Sequence, residues 1–363
     1  MRERDYLIGL KHIPGLGAKL IKSLMQEFNS AEYLWHISEK ELRQHPKLSE
    51  SFIEKFLYHR NRLILQEIIE GLIEKGIQTI TILDDDYPIN LRQIHDPPPV
   101  LFYSGQWSDE DERGFGIVGS RRATVYGQKV AQQFGKELAQ AGFVIVSGMA
   151  RGIDSYAHWG CLEAGGRTIA VLGSGLDVIY PRENRKLAEQ IAENGVVLTE
   201  FVPGTAPLPQ NFPVRNRIIA GLSLGVLVVE AAAKSGALIT ADFALEWGRD
   251  VFAVTGPISS PNSRGTHYLI KQGAKLVDQV GDILEEYNVG EGAPYREGQD
   301  SMFLLTADEQ TVYNMLNWTP QRVEELMEKT GWTPDRIQPV LTLLELHGLV
   351  EQLPGRQFIR KSL

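Results

Sequence analysis

Cysteine is almost missing from this chain of 363 residues, and the one present, Cys161, has no partner for an intramolecular disulfide. It also lacks a neighbour at metal-ligand spacing, so no metal site is expected. Met1 to Leu20 show no basic-then-apolar leader, which points to the cytoplasm. No run approaches the roughly eighteen uncharged apolar residues that a membrane helix needs, so no membrane association is expected. Positive charge is in deficit too: 37 Lys and Arg face 46 Asp and Glu, a formal net charge of -9. That excludes a surface coated all over for polyanions, and any nucleic-acid site must be local. A Gly-x-x-x-x-Gly-Lys-Ser/Thr loop is absent as well. No catalytic group and no cofactor is expected.

What is present divides into three parts. Residues 1–80 read as short helices, Asp5–Lys11, Ala18–Phe28, Ala31–Ile37, Glu39–His45 and a long apolar-periodic run from Ser51 to Lys75. Pro14, Gly15 and Gly17 break the first two apart, and Leu10 to Ala18 resembles the turn of a small helix-hairpin-helix or SAM-like domain. Such a turn either offers backbone N–H groups to a DNA phosphate or simply reverses the chain. Residues 81–288 follow, opening with an extended lead-in: a strand at Thr79–Leu83, the acidic turn Asp84-Asp85-Asp86 and the stiff Asp96-Pro97-Pro98-Pro99.

From Val100 the pattern alternates. Strands are expected at Val100–Ser104, Gly116–Val118, Phe143–Val146, Thr168–Val171, Val196–Thr199, Gly225–Val229 and Asp250–Ala253, with helices between most of them. This predicts an α/β fold, a Rossmann-like, mainly parallel sheet with helices on both faces. Residues 289–302 lose apolar content and read as a linker. In residues 303–363, helices at Ala307–Asn317, Gln321–Lys329 and Thr333–Gly348 precede a hairpin, Leu349–Gln352 and Gln357–Arg360, which is a winged-helix pattern.

Chemistry concentrates where the strands end. The turns Gly119-Ser120-Arg121, Ser147-Gly148 and Gly173-Ser174-Gly175, the loop after Glu200, and Glu230 leading to Ser235-Gly236 should share one rim, because ligands of such sheets sit outside the carboxyl ends of the strands. Small residues admit a phosphate close to backbone N–H groups. Arg121, Arg122, Arg151, Arg182, Arg185, Arg215, Arg217 and Lys234 stand near these turns, so a basic groove fits inside an acidic domain. Some of them instead pair with Asp154, Glu183 or Glu230 on the alternative reading. Tyr180 and Phe212, with Tyr126 and Tyr156 behind them, offer stacking faces. Asp154 and His158 at i, i+4 predict a polar contact on a helix rather than a metal pair.

The motifs also carry a resemblance. Val118 to Arg121, Val146 to Asp154, Ala164 to Asp177, Tyr180-Pro181, Phe212 to Ser223, Glu230-Ala231 with Ser235 to Ala241, and Gly248 to Val251 occur in an order that resembles the DNA-processing protein A (DprA, or Smf) family across most of residues 100–280. The resemblance implies a single-stranded DNA-binding protein of natural transformation that protects incoming strands and loads the recombinase RecA. It places the phosphate turn on Gly119, Ser120 and Arg121, and a basic contact on Arg182, where the family commonly has lysine. With the charge and rim arguments, the implied DNA contacts are Gly119, Ser120, Arg121, Ser147, Gly148, Arg151, Gly173, Gly175, Arg182, Phe212, Arg215, Asn216, Arg217, Lys234, Ser235 and Gly236. It further implies a homodimer, with Tyr268, Leu269 and Ile270 as candidates for that interface or for an overlapping RecA surface. An ordinary amphipathic helix with a core face is the alternative there.

Two rival readings fit the sequence less well. A phosphoribohydrolase-like enzyme acting on a nucleoside monophosphate would carry Pro-Gly-Gly-x-Gly-Thr-x-x-Glu, whereas Glu230-Ala231-Ala232-Ala233-Lys234-Ser235-Gly236 stands in its place. A transcription factor led by the winged helix suits poorly a segment, residues 301–363, with 6 Lys and Arg against 8 Asp and Glu.

Overall fold

Short, β-branched-rich apolar segments line up here in the middle of one nine-stranded sheet, since those central segments are too short for a stable helix and buried on both faces. The computed structural model describes residues 1–46, 48–287, 305–317, 319–347 and 349–360. The strands are β1 (Gln78–Thr81), β2 (Val100–Gly105), β3 (Gly114–Val118), β4 (Val144–Ser147), β5 (Thr168–Val171), β6 (Gly195–Thr199), β7 (Gly225–Val228), β8 (Asp250–Val254) and β9 (Lys275–Val277). Their order is β1-β2-β6-β5-β4-β3-β7-β8-β9. All neighbours from β6 to β9 pair in parallel, while β2 runs antiparallel to both β1 and β6. The chain moves outward from β3 through β4, β5 and β6, then returns to lay β7 on the other side of β3. That reversal is the switch point at which sheets of this kind open a crevice.

Alternation along the strands sorts the core. Phe115, Ile117, Ile145, Leu227 and Phe252 face the helices Val125–Gln140 and Ile153–Glu163, through Val130, Phe134, Leu138 and Ala157. Val118, Val146, Val226 and Val228 face the opposite layer, where Asn211–Leu222 and Gly236–Glu246 contribute Ile218, Leu222, Ala237 and Ala241.

The N-terminal helices are not a separate ball. Leu7, Leu10, Ile21 and Leu34 share one apolar cluster with Phe102 of β2, Ala170 of β5 and Val197 of β6. Arg4 Nη2 donates to the Thr79 carbonyl at 2.7 Å, and a division at residue 80 falls inside β1. The long helix expected over Ser51–Lys75 is two, Glu50–Arg60 and Leu65–Glu74. At the break Arg60 reaches back to the Ile37 carbonyl, and Ile64 is exposed while Leu65 turns inward, so the apolar stripe changes direction.

The winged helix has its own core of Val312, Leu326, Ile337, Leu341, Leu344 and Phe358. Its helices are Ala307–Met315, Val323–Thr330 and Pro334–Leu346, with strands β10 (Gln321–Arg322), β11 (Val350–Leu353) and β12 (Gln357–Arg360). Gln321 and Arg322, expected to open a helix, pair with β12 instead. The expected linker, 289–302, lies outside the described residues.

Candidate nucleic-acid interface

Beyond the ends of β3, β4 and β5, a depression is lined by Arg121, Arg122, Gly148, Ala150, Arg151, Gly173, Tyr180, Pro181 and Phe212. The glycines are there for close approach. A Cβ on Gly173 would sit 2.8 Å from the Phe212 ring, and one on Gly148 would lie 2.5 Å from the Arg215 guanidinium. Gly119 and Gly175 are equally confined, by Ile153 at 2.6 Å and the Val202 carbonyl at 2.8 Å. Each turn is therefore pressed against its neighbour, and the rim is rigid backbone. Asn184 strengthens it by donating to the carbonyl of Met149, a residue held at a left-handed φ of 52°.

Arg121 is exposed, forms no ion pair among the described residues although buried Asp154 feels its charge, and holds its guanidinium 4.6 Å over the Phe212 ring. Phe212 in turn sits 5.8 Å from the ring of Tyr180, inclined at 46°, and Tyr180 is 40% exposed. A fixed cation beside two partly open aromatic faces can take a phosphate and an unpaired base at once. Arg122 is exposed beside it, its backbone N–H donating to Ser120 Oγ at 3.1 Å. Arg182, Arg185 and Lys234 are exposed, again with no carboxylate partner among the described residues. Arg151 is the exception: it pairs with Glu183, with side-chain exposures of 61% and 52%. A pair that open to water is screened, and exchange of the carboxylate for a phosphate costs little.

Several expected contacts face inward. Arg215 is 3% exposed and donates to the carbonyls of Gly148, at 2.6 Å, and Val171. It ties the ends of β4 and β5 together and is not free for a ligand. Burial pushes its pKa down to about 10, against the opposing pull of Asp154. Arg217, 4% exposed, gives Nη2 to Glu200 at 2.7 Å; Lys11 approaches the same carboxylate at 3.7 Å, which locks the N-terminal helices to the sheet. Asn216 donates to the Gly236 carbonyl at 3.0 Å, and Ser147 donates to the Ile117 carbonyl at 2.6 Å. The reason is common: residues 215–222 are buried all round their helix, and Ser147 is the last residue of a covered strand. Ser235 accepts from the Ala237 N–H as the cap of its helix, while Gly236 is exposed.

The polar groups that suggest catalysis are committed elsewhere. Glu230 accepts from Thr124 N–H at 2.9 Å and Thr124 Oγ1 at 2.6 Å, pinning the start of the helix Val125–Gln140. This role, and that of Asn262, which donates to Glu230 and to the Arg122 carbonyl, has no local sequence signal. His158 is not hydrogen-bonded to Asp154 among the described residues; its Nδ1 bonds Thr168 Oγ1 at 2.6 Å, on the first residue of β5. Burial lowers its pKa to about 3, and raises that of Asp154. Cys161 donates to the Arg167 carbonyl, and burial pushes its thiol up to about 12, far from a nucleophilic thiolate. Among the described residues no cluster of His, Cys, Asp or Glu is placed to hold a metal. No described helix is long and apolar enough to cross a membrane.

In the helix Arg264–Lys271, Leu269 is 2% exposed in the core, which corrects its candidacy for an interface. Tyr268 is 55% exposed and Ile270 half-buried.

Residues 78–288 match the family model described as DNA recombination-mediator protein A, and residues 300–356 match the DprA winged helix domain. Protein Smf of Synechocystis is 36% identical over 397 residues, covering 99% of each chain. The solved structure of DNA processing protein A from Streptococcus pneumoniae has a TM-score of 0.67 at 35% identity, covering 79% of this chain and 99% of that one. That of DNA processing protein A from Helicobacter pylori, described for its single-stranded DNA binding mode, has a TM-score of 0.52 at 29% identity and covers 58% and 95%. With the switch-point sheet, the glycine turns and the winged helix matched along nearly the whole length, the chain belongs to the DNA processing protein A (DprA/Smf) family.

Proposed function

We propose that the rim beyond β3, β4 and β5 binds single-stranded DNA, and that the protein protects strands taken up in natural transformation and hands them to RecA. The observation that carries the reading is Arg121, exposed and in no ion pair among the described residues, over Phe212 with Tyr180 beyond it. Duplex DNA hides its base faces, whereas a single strand presents them beside its phosphates, so this pairing of cation and ring favours the single strand. The resemblance of the H. pylori protein supports the same ligand. An enzyme acting on a nucleoside monophosphate finds less support, since both oxygens of Glu230 are occupied by Thr124.

The test is a titration of a labelled single-stranded oligonucleotide and its duplex over a range of salt. Preference for the single strand, with affinity falling steeply as salt rises, supports the reading. Equal or tighter duplex binding overturns it.

The protein is further proposed to act as a cytoplasmic homodimer whose contact includes Tyr268 and Ile270. Ile270→Asp is expected to give a folded monomer, seen by light scattering beside circular dichroism. A dimer that survives Ile270→Asp and Tyr268→Asp together moves the interface elsewhere.

A further inference from the structure

Resting on the single-strand reading, we infer that the DNA track does not end at the pocket but continues across the switch point over a second subsite built around Asn262, with Arg264, Lys234 and Ile258 as its contact groups.

Asn262 is the hub of three segments. Its Nδ2 donates to the Arg122 carbonyl at 3.1 Å, and its own carbonyl accepts from Ala231 N–H at 2.7 Å. Gly265 N–H donates to the Ala231 carbonyl at 2.7 Å, and a Cβ on Gly265 would strike Ala231 at 2.7 Å. The turn after β3, the turn after β7 and the loop after β8 are thereby packed into one surface beside Arg122, which also lines the pocket.

Charge sets this surface apart. Residues 119–129, 231–241 and 255–266 contain Arg121, Arg122, Lys129, Lys234 and Arg264 but no Asp or Glu, in a chain where acids outnumber bases 46 to 37. Lys129 is engaged by Glu351 at 2.9 Å. Arg264 and Lys234 are exposed with no carboxylate partner among the described residues. Ile258 is 92% exposed in the loop after β8, an apolar face that none of the described residues covers. Unpaired cations beside an uncovered apolar side chain suit phosphates alternating with an unstacked base.

A track in two parts has a length signature. Full-length protein is titrated with oligothymidylates of about 6 and about 20 nucleotides, one short enough for a single binding groove and one longer than it. Arg264→Glu and Ile258→Ser should leave the short oligonucleotide bound as by wild type. For the long one, Arg264→Glu should weaken binding at least fivefold, and Arg264→Gln should lower the log–log salt slope by about 0.7, one phosphate of a single strand. Unchanged affinity for the long oligonucleotide in Arg264→Glu together with an unchanged slope in Arg264→Gln overturns the second subsite, as does equal weakening at both lengths in Arg264→Glu. Loss of binding at both lengths in Arg121→Ala, with the length effect missing in Arg264→Glu, leaves the pocket standing and removes only the extension. Absence of single-strand binding by the wild-type protein sinks both.

Discussion

The turn Gly119–Arg122 and the helix Asn211–Leu222 both bring arginines to Phe212, yet the two treat the charge in opposite ways. Arg121 lies over the ring from outside with its donors in water; Arg215 approaches at 5.9 Å from inside, its donors spent on the Gly148 and Val171 carbonyls. The outer cation is available for an anion that comes and goes. The inner one is part of the frame that keeps the turns in place. A buried guanidinium is tolerated only because carbonyl acceptors replace its water, so its contribution is to stability.

Substitution separates the two. The largest effect is expected for Arg215→Ala, which takes a donor from two carbonyls and removes the larger of the two positive charges that Asp154 feels; denaturant unfolding should show a loss of about 3–5 kcal/mol. A loss below about 1 kcal/mol would erase the distinction drawn here. Arg121→Ala should leave the melting temperature in place and weaken single-strand binding by about 1.5–3 kcal/mol, the range for a hydrogen bond to a charged partner. Unchanged affinity would take Arg121 out of the site.

His158 tests the frame through pH. Its pKa, near 6.5 when unfolded, is held at about 3 in the native state, so the unfolded chain binds the extra proton and stability falls as pH drops from 6.5 toward 3. At around pH 5 this amounts to about 2 kcal/mol, which His158→Gln should recover relative to its own stability at neutral pH. Parallel pH curves for the two proteins would show that the histidine does not titrate as described. The smallest effect belongs to the outer surface: Glu183→Gln frees Arg151 and should raise single-strand affinity slightly at low salt, with the gain vanishing at high salt. A decrease would mean that Glu183 orients Arg151 rather than competing with DNA for it.

The order of the strands' ends around the site was legible because β3, β4 and β5 each announce themselves by an apolar run and a small-residue turn, and Arg121, Tyr180 and Phe212 stand beside those turns or the loops after them. Burial was not. Asn211–Leu222 carries Arg215, Asn216 and Arg217 among apolar residues, and nothing local tells that its charged side is covered as fully as its apolar side. β9 escaped notice for another reason: with three residues, Lys275–Val277, it has too few alternations to register as a strand. Asn262 and Glu230 act over 140 and 106 residues of separation, a reach that no window along the chain contains.

The shared core of the N-terminal helices and the sheet separates two kinds of boundary. Similarity to the family's main unit begins at residue 78, but Leu7 and Leu10 share one core cluster with Phe102 and Ala170, and Lys11 lies beside Glu200. Inheritance could cut and join the gene there, yet the folded protein has no seam at that place. A graft that exchanged the first 77 residues for those of a distant relative would have to bring along matching partners on β2, β5 and β6, so these two stretches are bound to change together or not at all.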